Sequence, residues 1–181
     1  MSETGRSDRE AESPGRPHAF DTVLYGGLVV GVLDISDAMI FFGILYGVTP
    51  IRVLQSVAGG LLGRATYSGG LKTALLGLLL HFLIATILAT VYYLASRVLP
   101  LLIKHAMLAG PFYGIAVYFV MTYIVVPHSA VGPRTGSIPW PVFLNGVIGH
   151  ALLVGLPIAL LARRSAKANK RHEGLSPGKP S

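Results

Sequence analysis

TVLYGGLVVGVLDISDAMIFFGILY, residues 22–46, contains two aspartates, Asp34 and Asp37, and no lysine or arginine to neutralise them. At 1.5 Å of rise per residue, a helix of this length exceeds the roughly 30 Å hydrocarbon core of a bilayer. The stretch therefore reads as a membrane-spanning helix. An ionised aspartate near the middle of such a helix costs at least about 2.5–3.5 kcal/mol. Both acids must be shielded among neighbouring helices or serve a task.

Outward from this stretch the chain keeps the same character. Of 181 residues, 52% are hydrophobic and only 13% charged, about half the charge of a soluble domain. Three further apolar runs cover residues 71–98, 107–126 and 140–161, each near or above the ~20 residues that a span requires. Lipid offers the backbone no hydrogen bonds, so all four are expected as helices. The expected fold is all-α: an integral membrane four-helix bundle over residues 22–162. Residues 1–21 are expected to form a disordered cytoplasmic leader, and residues 163–181 a basic, disordered cytoplasmic tail. The leader is polar and mixed in sign, and the run after it is too long for the apolar region of a secretory signal.

Charge sets the orientation. With four spans, the side holding both termini carries eleven of the fifteen Lys and Arg residues; the other side carries Arg52, Arg64, Lys72 and Arg134. The positive-inside rule puts both termini in the cytoplasm. The net charge of +7 does not indicate nucleic-acid binding, because the excess is a short tail beside an apolar helix. Such a tail can meet anionic headgroups at about 1 kcal/mol per basic residue. The bilayer is thus the expected partner. The absence of cysteine excludes disulfides, thiolate metal sites and cysteine nucleophiles.

The first outer connection reads as a short amphipathic helix over residues 50–65, capped by Thr49-Pro50 and lying on the outer interface. Ile51, Leu54, Val57, Ala58, Leu61 and Ala65 form its apolar side. Arg52, Gln55, Ser56, Gly59 and Gly63 form the other. The second outer connection, residues 127–139, is rich in proline and glycine and is expected to be irregular. The short connection over residues 97–105 predicts that spans two and three pack as antiparallel neighbours. Glycines spaced four apart (Gly27 with Gly31, Gly43 with Gly47, Gly110 with Gly114) mark faces where helix backbones can approach closely. Such faces leave room for a homo-oligomer or a partner in a membrane complex. Pro157 predicts a kink in span four.

Counting inward from the outer helix ends puts Asp34, Asp37, His81 and His150 at one level, roughly 14–18 Å deep. Three helices thus bring ionisable groups to the same layer. Asp34 and Asp37, three apart, share a helix face. Tyr113 and Tyr118 on span three are expected at or near that depth, and Asn145 is expected to make an interhelical hydrogen bond. Such a layer can pass protons or hold a small cation. Two histidines and two aspartates are also plausible ligands for a divalent metal, and His81 with His150 for a haem. The structural alternative is that acid–imidazole pairs merely hold the helices in register. No phosphate loop, nucleophile elbow or zinc-protease motif is present. The reading leans away from an enzyme, and no catalytic residue is assigned.

The pattern as a whole resembles a group of small uncharacterised bacterial inner-membrane proteins with four predicted spans. The resemblance covers residues 22–161. It rests on LVVGVLDISDA in span one, PIRVLQSVAGGLLG after it, LGLLLHFLIAT in span two and GPFYGIAVYFVMTYIVVP in span three. It implies a bacterial cytoplasmic-membrane location and no particular activity. Three expectations stand side by side: a proton- or cation-handling membrane protein, a structural or assembly subunit of a membrane complex, and a metal- or haem-binding redox protein.

Overall fold

The structure, a computed structural model, describes residues 19–175. Every regular element among them is helical. The expected leader lies outside the described residues except for its last three, as do residues 176–181 of the expected tail. The helices are α1 (Ala19–Tyr46), α2 (Pro50–Leu62), α3 (Gly70–Val98), α4 (Pro100–Lys104), α5 (Ala106–Val120), α6 (Trp140–Gly149) and α7 (Leu156–Leu175). A 3₁₀ turn, Gly63–Ser68, follows α2. Two π-helical turns continue the long rods: Met121–Val125 extends α5, and His150–Gly155 joins α6 to α7. The four long helical stretches are long and apolar enough to cross a membrane.

Local chemistry accounts for the boundaries. Gly47, at φ 63°, ends α1, and its N–H donates to the Gly43 carbonyl at 3.1 Å. Thr49 caps α2 by accepting from the Arg52 N–H, and Pro50 takes the first turn, where a missing N–H costs nothing. Gly63, at φ 58°, ends α2. Pro157 has no N–H for the Leu153 carbonyl, and its ring crowds that carbonyl. The wide turn just before it relieves this: the Leu156 N–H reaches back five residues to Ala151.

Glycine sets the packing. A methyl group at Gly27 would meet Thr86, and one at Gly31 would strike the Phe82 ring at 2.5 Å, so α1 lies hard against α3. Gly110 and Gly155 face each other, and a methyl at Gly114 would fall on the His150 carbonyl, so α5 lies hard against the second π turn and α7. The third spaced pair, Gly43 and Gly47, closes a helix end and meets no other helix. A core of Val30, Ala85, Ala89, Tyr92, Ala106, Val154, Ile158, Ala159 and Ala162 joins the two pairs of rods.

One expectation is narrowed and two are corrected. Spans two and three are neighbours, but they are not the closely packed pair. The α3 backbone approaches α1 and α2, and the α5 backbone approaches α7. α3 and α5 meet through large side chains, such as Tyr92 on Tyr113 at 5.0 Å. Matching small-residue faces outweigh the short connection. On α2, the side read as polar is partly the buried one: Gln55 and Gly59 are buried, while Ile51 and Leu61 are exposed. The reason is close approach, since Gly77 of α3 lies against the Leu54 carbonyl, together with hydrogen bonding. Gln55 Nε2 donates to the Gly70 carbonyl at 3.0 Å and to Thr73 Oγ1 at 3.2 Å. Finally, the tail read as disordered from residue 163 is helical through Leu175. Its Ala, Lys and Arg residues are strong helix formers, and Ala162 and Ser165 are buried.

Gly114→Ala is therefore expected to destabilise the protein by about 1–3 kcal/mol, and Gly60→Ala, whose added methyl meets nothing within 4 Å, to leave stability equal or higher. Thermal unfolding of both variants in one detergent checks the contrast.

Candidate functional site

Three helices deliver one side chain each to a common point. Asp34 comes from α1, His81 from α3, and His150 opens the π turn between α6 and α7. His81 Nε2 lies 4.0 Å from Asp34 Oδ2, and His150 Nδ1 lies 4.0 Å from Asp34 Oδ1. The two oxygens of a single carboxylate thus face two imidazoles. These separations exceed hydrogen-bonding distance. Each leaves a gap that a water molecule or a small donor can bridge.

The imidazoles are held from behind. His81 Nε2 donates to the Gly31 carbonyl at 2.9 Å, so the proton of the neutral ring sits on that nitrogen. Gly31 stands just under one turn before Asp34 on α1, so one helix fixes both partners. Phe82 packs edge-on to the His81 ring at 5.8 Å, and Tyr118 edge-on to the His150 ring at 5.6 Å.

Asp34 borders open space; its side chain is 25% exposed. It lines a cavity of about 450 Å³ that runs between α1, α3, the two π turns and α2. Tyr67, Ser129 and Arg134 stand at one end, beside the connections that precede α3 and α6. Val30, Leu88 and Val154 stand at the other, where the apolar core closes the space. The loop that carries Ser129 is tied to α2 by the Ala130 N–H, which donates to the Gly60 carbonyl at 3.0 Å. A second cavity, of about 460 Å³, reaches Asp34 and His81 from the other side of Ser56, Val57 and Tyr67. Its wall includes Phe42 and Arg52, whose guanidinium lies 5.3 Å from the Tyr67 ring centre.

The other residues expected in this layer divide. Asp37 is turned to α6, where its Oδ2 accepts from Asn145 Nδ2 at 2.9 Å; this is the interhelical hydrogen bond expected of Asn145. Gly149 beside it leaves room for the carboxylate, since a methyl there would lie 3.1 Å from Oδ2. Tyr118 joins the layer through its ring alone. Tyr113 does not join it. Five residues deeper on α5, its hydroxyl donates to the Leu88 carbonyl at 2.8 Å and its ring packs on Tyr92. Tyr92 in turn donates to the Leu102 carbonyl at 3.1 Å. Both phenols belong to the core.

The arrangement weakens the metal and haem expectations. Among the described residues, no three His, Asp or Glu side chains stand close enough together to hold a metal ion. His81 Nε2 is engaged with Gly31, and Asp37 faces away. The Asp34 carboxylate stands between the imidazoles, where a doubly ligated haem iron would lie. Sequence reasoning missed Ser56, Tyr67 and Arg134 as cavity residues. No spacing signal marks them, because α2 and the loops before α3 and α6 reach the site only through the tertiary fold. No family model, curated protein or solved structure matches this chain.

Asn145→Leu leaves the Asp37 carboxylate without its donor and is expected to cost about 2 kcal/mol. The Asp37→Leu/Asn145→Leu double variant is expected to recover most of that loss. Detergent melts of the single and double variants form the cycle that checks it.

Proposed function

We propose that this chain is a multi-pass protein of the bacterial cytoplasmic membrane. In this reading it is a four-helix bundle with both termini in the cytoplasm and α2 at the outer face, and Asp34, with His81 and His150, takes up and hands on a proton or a small cation. The observation that carries the reading is the single carboxylate, 4.0 Å from two imidazoles, inside a cavity that extends to the outer connections.

Several features support the membrane setting. Four helices have the length and hydropathy of spans. Along α3, Leu75, Leu79, Leu83 and Ile87 recur four apart and are each at least half exposed. Such an apolar stripe suits contact with lipid. The count of eleven basic residues against four assigns the mouth at Arg134 to the outer side. The resemblance to four-span bacterial membrane proteins points to the same location.

The mechanism follows from the partners. A carboxylate in an apolar layer is costly unless compensated, so Asp34 favours a positive visitor. His81 Nε2–H is held by a backbone carbonyl and keeps its orientation. His150 presents its second nitrogen to the same carboxylate and can relay a proton to or from it. The core below Leu88 closes the inner end, so passage requires alternation between two conformations rather than an open pore. Asp37, satisfied by Asn145, serves as a structural tie between α1 and α6.

Purified protein in liposomes is expected to accelerate proton or sodium flux under an imposed gradient. Asp34→Asn should reduce the rate at least tenfold, toward that of empty vesicles. Asp37→Asn should retain more than half of it. Equal flux from the wild type and Asp34→Asn would defeat the proposal.

A further inference from the structure

Resting on the reading just given, we infer that the ligand of the Asp34 site is a compact lipophilic ammonium ion: an apolar body carrying one positive nitrogen. Three observations carry this. The first is size. The cavity of about 450 Å³ has the volume of about fifteen water molecules in the liquid. It falls within the roughly 300–1,000 Å³ of small-molecule sites, far more room than a proton or a bare metal cation requires.

The second is the wall. The inner part is built from Val30, Ile84, Leu88 and Val154, which offer no oxygen ligand. A hard cation stripped of water needs a shell of six or more oxygens. Asp34 supplies one carboxylate, and the imidazoles supply none. An ammonium ion needs one counter-charge and a few acceptors at the nitrogen, and its apolar body gains by covering the aliphatic wall.

The third is charge and spacing. Among the described residues, Asp34 is the only carboxylate that lines the cavity. The gaps of 4.0 Å between it and each imidazole admit an N–H donor from a ligand lying alongside. The remaining charged group in the lining, Arg134, is exposed at the outer end. Its like charge disfavours a ligand with a second positive group there, which selects a monocation over a polyamine. Arg52, on the wall of the second cavity, is engaged with the Tyr67 ring.

The test is equilibrium dialysis of radiolabelled 2-phenylethylammonium against the full chain in nanodiscs, alongside the liposome flux assay. Saturable binding is expected. It should weaken at least tenfold in Asp34→Asn and be equal or tighter in Arg134→Gln. Uncharged 2-phenylethanol should not displace the label. Val125→Phe, which fills part of the cavity from an exposed position, should weaken amine binding at least fivefold. No binding by the wild type alongside Asp34-dependent flux would overturn this inference and leave the proposed function standing. Loss of both binding and Asp34-dependent flux would remove the two together. Binding that survives undiminished in Asp34→Asn would also overturn it, because the carboxylate would then not be the group that holds the ammonium.

Discussion

Backbone-to-backbone contact at glycine sets the spacing of the long helices. At Gly27 and Gly31, α1 presses against α3; at Gly110, Gly114 and Gly155, α5 presses against the other long rod. Where side chains are this small, two helices can approach far closer than the usual 8–10 Å. The space left over then collects where the two tight pairs meet, and the cavity lies there. The same constraint shapes its chemistry. The close approach at Gly31 brings His81 within 2.9 Å of that residue's carbonyl, which fixes the proton of the imidazole Nε2 beside Asp34.

The two aspartates of α1 show how azimuth separates roles that depth alone merges. They are three residues apart and about 60° apart around the helix. Asp37 meets an amide donor at 2.9 Å and is satisfied. Asp34 has two imidazoles at 4.0 Å and, among the described residues, no direct hydrogen bond. A satisfied buried carboxylate holds two helices in register, whereas one with open space before it has capacity for something else.

Much of this was legible in the sequence. Length and hydropathy identify four long apolar helices, because these are one-dimensional properties. Depth counting brought Asp34, His81 and His150 to one level, and the structure brings them together. Rotation about each helix axis was not legible. Tyr113 was grouped with the polar layer by depth, yet it turns to Leu88 and Tyr92. The packed face of α2 was misread because hydropathy treats Gln55 and Gly59 as polar or neutral. Close backbone approach at Gly77 and the hydrogen bonds of Gln55 make that face the better one to bury. The short loop makes spans two and three neighbours, but it says nothing of which surfaces match, so the tighter pairings were not legible. The helix beyond residue 161 is not legible from charge, because a rise in Lys and Arg changes the solvent a helix meets and not its backbone.

The π turn at His150–Gly155 has one more consequence. Such a turn accommodates one residue more than the α-helical turn it replaces. It therefore acts as a phase shifter between the two halves of its rod. On one side, Asn145 and His150 face α1; on the other, Ile158, Ala159 and Ala162 face the interior. Deleting a single residue within the turn would restore a regular helix with its two halves still in phase, whereas a deletion in the regular helix on either side would rotate one half against the other by about 100°. Either the polar contacts or the buried alanines would then lose their partners. The wide turn is thus where this rod can lose one residue and keep both sets of contacts, while the regular helix on either side of it is held to a fixed length.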